Sequence, residues 1–323
     1  MAGMVGVAAG SATIDARLVA RILLHAVAPD SVTPDWSAGV ARIVLELRLP
    51  RVILGMLVGA GLATVGTMLQ AVTRNPLADP YLFGVSAGAS AGAVLVIVHT
   101  GEVLGSLTLP LAAFAGALLS LLGVMAVALG TGGLARDRLV LAGVAVSFVL
   151  MALTNFLIFL GDQRAAHSVV FWMLGGLGLA RWGLLLPPAI IVLGGLLIFW
   201  LGAHWLDALL LGDEAAQSLG LEVARFRLLL FAAAALVTGT LVALAGSIGF
   251  VGLMVPHMAR RLVGGRHAVL LPIAALLGAL LVTSVDVAAR VVLAPQELPI
   301  GILTGAAGGL FFIGLMRAAP SGR

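Results

Sequence analysis

Charge is scarce in this chain, so the places where it gathers are the first candidates for chemistry. Of 323 residues only 10% are charged and 61% are hydrophobic. Arg42, Arg48 and Arg51 lie close together just ahead of a long apolar run. Guanidinium groups placed this way can form bidentate pairs with carboxylates. Arg74, Asn75 and Asp79 share the segment RNPLADP with Pro76 and Pro80, between two apolar runs. Asp213, Glu214 and Glu222 fall in GDEAAQSLGLEVARFR. Asp286 precedes Arg290 by four residues, the favourable order for an ion pair on one helix.

Several chemistries are excluded outright. The chain has no cysteine, so it has no disulfide, thiol nucleophile or thiolate metal site. Its 18 basic residues are all arginines. A phosphate-binding loop needs a lysine to reach the nucleotide phosphates, so this chain is not a P-loop ATPase by itself, and lysine Schiff-base chemistry is absent. The H-E-x-x-H pattern of an intramembrane metalloenzyme does not occur. The net charge of +4 is scattered, with no basic run for nucleic acid. His99, His167 and His257 each stand alone near a predicted helix end, which fits interfacial histidines better than ligands. No metal site, cofactor or catalytic residue is expected.

The elements that carry these residues must be transmembrane. A mean hydropathy of +1.18 is far above that of a soluble domain, and the apolar runs approach the ~20 residues a span requires. They lack strict alternation, so helices are favoured over a barrel. The sequence predicts one all-α polytopic domain over residues 1–323. Nine spans are expected, at 51–72, 81–99, 107–130, 138–160, 182–203, 226–245, 247–263, 268–293 and 298–317. The apolar start MAGMVGVAA is too short to span and reads as the tail of a tenth helix shortened by a late start. With the C-terminus inside, the positive-inside rule gives weak support, and the outside arginines stand out. Glycines four apart, at 84, 88 and 92, at 55 and 59, and at 305 and 309, predict close helix packing. LVGAGLATVG (57–66) faintly echoes LVALAGSIG (241–249), as inverted repeats do.

RLPR (48–51), RNPLADP (74–80), RLVLAGVA (138–145), GDEAAQSLG (212–220), GSIGFVGLMVPHMARRLVG (246–264) and LPIGILTGAAGGLFF (298–312) occur in this order. In order and spacing they resemble the permease subunits of ATP-driven importers for cobalamin, haem and ferric siderophores. The resemblance runs from about residue 10 to the C-terminus. It implies about ten transmembrane helices per subunit and a homodimer around a central pathway. It also implies two cytoplasmic ATP-binding subunits, a periplasmic substrate-binding protein and a place in the bacterial inner membrane.

The resemblance assigns roles that the residues can bear. Arg48, Arg51 and Arg290 would dock the binding protein, although Asp286 offers Arg290 a structural partner instead. Gly212, Asp213, Glu214, Ala215, Ala216, Gln217, Ser218, Leu219 and Gly220 would form the cytoplasmic coupling helix held by the ATPase. Their acids near the start suit a helix dipole, and Gly220 ends the run. Pro76 and Pro80 force a turn. By the resemblance Asn75 and Leu77 line the cytoplasmic gate, together with Arg136 and Asp137 of LARDR. Thr154 and Asn155 are polar in mid-helix and must avoid lipid, by lining the pathway or by bonding across helices. Phe171, Trp172 and Met173 belong to a short outer segment.

The expected function is import of an iron compound, haem or a ferric siderophore, with cobalamin as the alternative cargo. An ion-gradient-driven secondary transporter is the alternative from another class. It would need an intramembrane carboxylate, and Asp286 is the one clear candidate.

Overall fold

The computed structural model describes residues 2–8, 10, 14–131 and 136–318. Among these residues every regular element is helical. The chain runs α1 (Ala2–Ala8), α2 (Ala16–Val27), α3 (Ala38–Arg42), α4 (Leu49–Val72), α5 (Val85–Leu95), α6 (Thr108–Gly130), α7 (Arg136–Phe159), α8 (Gln163–Met173), α9 (Trp182–Leu201), α10 (Ala203–Leu210), α11 (Asp213–Ser218), α12 (Val223–Ala245), α13 (Val251–Val263), α14 (His267–Val291) and α15 (Ile300–Ala318). Seven helices are long and apolar enough to cross a membrane by length and composition.

The physics of α4 sets the frame. Pro50 sits in its first turn, where a missing N–H costs nothing. A π-helical stretch, Ile43–Arg48, joins it to α3, so the helical path runs unbroken over Ala38–Val72. At the far end Thr73 Oγ1 donates back to Leu69 O at 2.7 Å, and Pro76 forbids further turns. The 24 residues of α4 extend ~36 Å, so its charged ends lie on opposite faces of the bundle. α4 and α12 are 78% buried along their apolar windows, against 17% for α7 and α15. They form the centre.

Glycine makes that centre possible. A Cβ at Gly59 would stand 2.0 Å from the Gly278 carbonyl oxygen, and one at Gly66 2.0 Å from that of Gly252. A Cβ at Gly88 would meet Gly116 O at 2.2 Å. Helices α4–α14, α4–α13 and α5–α6 therefore touch backbone to backbone, which maximises dispersion contact where lipid offers no hydrophobic drive. The glycines at 305 and 309 behave differently. They meet nothing within 4 Å, so within this chain they are not packing sites.

Each of the nine expected spans is helical, with informative shifts at two starts. The span expected at 81–99 begins at Val85 because Pro80–Phe83 forms a 3-10 turn that ends on Gly84 at φ 73°. The span expected at 247–263 begins at Val251. Its 13 residues cover ~20 Å of a ~30 Å hydrocarbon core, so α13 alone is too short to span it. The proposed echo of 57–66 in 241–249 is not structural. The first segment lies in the continuous α4, whereas the second breaks at Gly246, at φ 64°.

Of two small helices at the N-terminus, α1 lies on the apolar start read as the tail of a tenth helix, and α2 lies outside the expected spans. α1 packs on α4 and α14. α2 buries Val19 and Ile22 in a second, smaller core with Val7, Val44 and Val52, and its other face carries exposed Arg17.

Candidate functional site

One end of the bundle, the inner one in the expected topology, is built on the α4–α5 turn. Asn75 Oδ1 accepts from Leu77 N at 3.0 Å, and Asn75 O accepts from Ala78 N at 3.0 Å. Side chain and backbone together close the turn that the prolines begin. Leu77 is 56% exposed at its tip. Asp79 caps the 3-10 turn by accepting from Tyr81 N at 2.9 Å. Its other carboxylate oxygen is buried without a hydrogen-bond partner, and burial pushes its pKa up to about 6. Burial, with Asp79 nearby, also raises that of Tyr81.

The same turn reaches two distant segments. Tyr81, the only tyrosine in the chain, accepts from Ile248 N at 2.8 Å. This satisfies one amide of the non-helical stretch between α12 and α13. Arg74, at φ 47°, reaches Asp213 at 3.3 Å. Asp213 also takes two 2.8 Å bonds from Arg227 of α12. α11 begins at Asp213 after Gly212, at φ 118°, and the chain leaves it through Gly220, at φ 95°. Thus the acid-rich segment is a short helix beside the turn. Arg136 and Asp137 open α7, but their side chains lie outside the described residues.

Above the turn, a cavity of about 520 Å³ opens between α5, α7 and the start of the 246–250 break. Its walls carry Ser86, Ser90, Ser147 and Ser247 among apolar side chains such as Phe148 and Met151. The hydroxyls of Ser86, in the first turn of α5, and Ser247, in the break after α12, meet at 2.7 Å. Thr154 and Asn155 both line this cavity. Thr154 Oγ1 is bonded to Leu150 O at 2.8 Å, while Asn155 is exposed. Such a wall, apolar with scattered hydroxyls, suits a large ligand with a polar edge.

The opposite end, the outer one in the expected topology, holds a charge network. Asp286 is 1% exposed. It accepts from Arg51 Nε at 2.9 Å and pairs with Arg290 Nη2 at 3.0 Å. Arg51 also pairs with Glu297 at 2.8 Å. Arg290 further donates to Gly6 O at 2.9 Å, and Arg48 donates to Val7 O and Ala8 O at 2.9 and 2.8 Å. The last carbonyls of α1 have no partner within their own helix, and these two cations supply one, at the end the helix dipole favours. The three arginines expected to dock the binding protein differ in exposure. Arg48 and Arg290 are buried, at 8% and 4% exposure, and hold α1. Only Arg51 borders an open surface, beside a cavity of about 260 Å³ lined also by Trp172 and Glu297.

Two of the three candidate histidines have structural roles. His99 bonds to Leu157 O at 3.0 Å, and His167 stacks near Phe171. No group of three or more metal-ligating side chains occurs among the described residues. Sequence reasoning missed Arg227, Tyr81 and Glu297. A lone tyrosine between two prolines and a glycine was the available signal for Tyr81. Nothing local marks the other two.

A sequence profile described as the FecCD transport family matches residues 1–318. The chain is 42% identical over 275 residues to the cobalamin import system permease protein of Halobacterium salinarum, covering 85% of this chain and 73% of that one. It is 39% identical over 280 residues to the hemin transport system permease protein of Yersinia pestis, covering 85% and 83%. A solved metal-chelate-type ABC transporter in an inward-facing conformation superposes with a TM-score of 0.79 at 30% identity, covering 93% of this chain and 97% of that one.

Proposed function

This chain belongs to the FecCD transport family, the permeases of iron-chelate, haem and cobalamin ABC importers, and from that premise we propose that it imports an iron compound, haem or a ferric siderophore. It is a multi-pass membrane protein and, as a permease subunit, no enzyme. ATP is hydrolysed by separate cytoplasmic subunits, and a periplasmic binding protein delivers the cargo. Two copies in the bacterial inner membrane would enclose the pathway, each supplying ten spans, with α1 as part of the first.

The cavity between α5 and α7 carries the reading. It is apolar with a hydroxyl fringe, it is open on one side, and Thr154 and Asn155 stand in its wall. Asn75 and Leu77, with Arg136 and Asp137 by the family resemblance, would close its inner mouth. Residues 212–220 would seat in the ATPase. Arg51 would receive an acidic side chain of the binding protein in exchange for Glu297, with Arg48 and Arg290 holding the rim. Cobalamin is the second reading, favoured by the 42% identity to a cobalamin permease. An ion-gradient mechanism has less support, because Asp286, its coupling candidate, is already matched by Arg51 and Arg290.

The test is uptake of labelled haem, ferric siderophore and cobalamin into proteoliposomes holding this chain with its ATP-binding subunits. Transport should require ATP and stop with hydrolysis-dead partners. Movement of any of these down an ion gradient by the purified chain alone would refute the importer reading.

A further inference from the structure

Two arginines from different parts of the chain converge on one carboxylate at the inner end of the bundle. Arg227 of α12, only 5% exposed, holds both oxygens of Asp213 at 2.8 Å. Arg74 of the α4–α5 turn reaches Oδ1 of the same group at 3.3 Å. We propose that Arg74 is a positioning residue that transmits movement of α11 to the Asn75–Leu77 turn through Asp213. This rests on the reading of α11 as the ATPase-coupling element and of that turn as the inner constriction.

Three observations carry the proposal. First, Asp213 is the leading residue of α11 and is fixed to a buried arginine, so displacement of α11 displaces this carboxylate or breaks its bonds. Second, Arg74 holds φ 47°, a backbone region that a residue with a Cβ rarely occupies. Glycine would fit there without strain, yet only a long cation can reach Asp213. Backbone strain retained at a side chain with a specific partner points toward function. Third, the turn beyond Arg74 is braced. Asn75 N donates to Gln70 O at 3.2 Å, and Asn75 fixes Leu77 and Ala78. A pull on residue 74 is therefore passed to Leu77 rather than absorbed.

The Arg74–Asp213 pair contributes little to holding the fold. Its side chains are 37% and 35% exposed, and ion pairs that open to water contribute little stability. Asp213 retains Arg227 when Arg74 is lost. A purely structural pair and a transmitting one therefore predict different results for Arg74→Gly, which suits the backbone and deletes the cation.

The chain has no cysteine, so Leu77→Cys gives one reporter per copy of this chain, read in the full complex with cysteine-free ATP-binding subunits in lipid nanodiscs. The rate of labelling by an impermeant maleimide is read with and without ATP. In the Leu77→Cys parent, ATP should change the rate. Adding Arg74→Gly should leave the thermal melt and the bound ATPase subunits intact while the ATP-dependent change is lost, and Arg74→Lys should restore part of it. An ATP response in Arg74→Gly equal to the parent's would overturn the proposal, as would loss of the ATPase subunits from that variant. A parent that binds no ATPase subunits or shows no ATP response at residue 77 would instead overturn the reading of α11 and the constriction.

Discussion

Replacing Asp286 with asparagine tests the outer charge network most directly. Asp286 balances two arginines at 2.9 and 3.0 Å while itself 1% exposed, and Glu297 pairs directly with Arg51 and acts on Arg290 through space. Asp286→Asn keeps the shape but removes the carboxylate that pairs with Arg290, which is 4% exposed. Removing one member of a buried ion pair costs about 3–5 kcal/mol. The lower end applies here, because Arg51 keeps Glu297 and Arg290 keeps the Gly6 carbonyl. About 3 kcal/mol, at about 2 °C per kcal/mol for a chain of this size, gives a fall of about 6 °C in melting temperature. Tryptophan fluorescence in detergent, with five tryptophans as probes, reads it. The double variant Asp286→Asn with Arg290→Gln restores local neutrality and should recover much of the loss. A single variant melting with the parent, or a double variant melting below the single, would show that Asp286 is not the counter-charge that holds this end.

Other perturbations probe different layers of the structure. Gly59→Ala places a Cβ 2.0 Å from Gly278 O and should cost about 1–3 kcal/mol by forcing α4 from α14. Gly309→Ala meets nothing within 4 Å and should melt with the parent. For Asp79, burial raises the pKa from 3.8 to about 6, so the folded chain keeps a proton that the unfolded chain releases. That contribution is complete below pH 3.8 and is lost as pH rises through about 6. The loss is at most about 3 kcal/mol. Asp79→Asn should therefore flatten the fall in melting temperature between about pH 4.5 and pH 7; an unchanged slope assigns the titration elsewhere. Deleting residues 213–220 should abolish stimulation of the ATPase subunits while membrane insertion persists, and surviving stimulation would remove these residues from the coupling role. Arg51→Glu should weaken capture of the binding protein, more strongly at low salt, as measured by surface binding to the reconstituted chain.

The helices were legible because lipid imposes one rule on every span: long, apolar and internally bonded. That rule finds α4, α6, α9, α12 and α14 within a few residues. It says nothing of where a helix begins when its first turn is tucked into protein, which is why the starts of α5 and α13 were misplaced. Gly84 and Gly246, both at positive φ, end regular structure without any drop in hydrophobicity. The acids of α11 could be read from the dipole argument, but their partners could not. Asp213 to Arg74 spans 139 residues and Arg51 to Asp286 spans 235, so no local pattern marks either pair. For the same reason Arg48 looked like an outward cation. Its use on the carbonyls of α1 is a tertiary fact, invisible until both segments are placed.

The hydroxyl of Tyr81 bonds to the amide of Ile248, and Ser86 meets Ser247. The interruption after α4 and the interruption after α12 are therefore stitched into a single seam, with the cavity opening along it. A chain with two independent soft points could yield at one and stay rigid at the other. Here two hydrogen bonds tie the strips of loose backbone together, so movement of one must break them or carry the other with it.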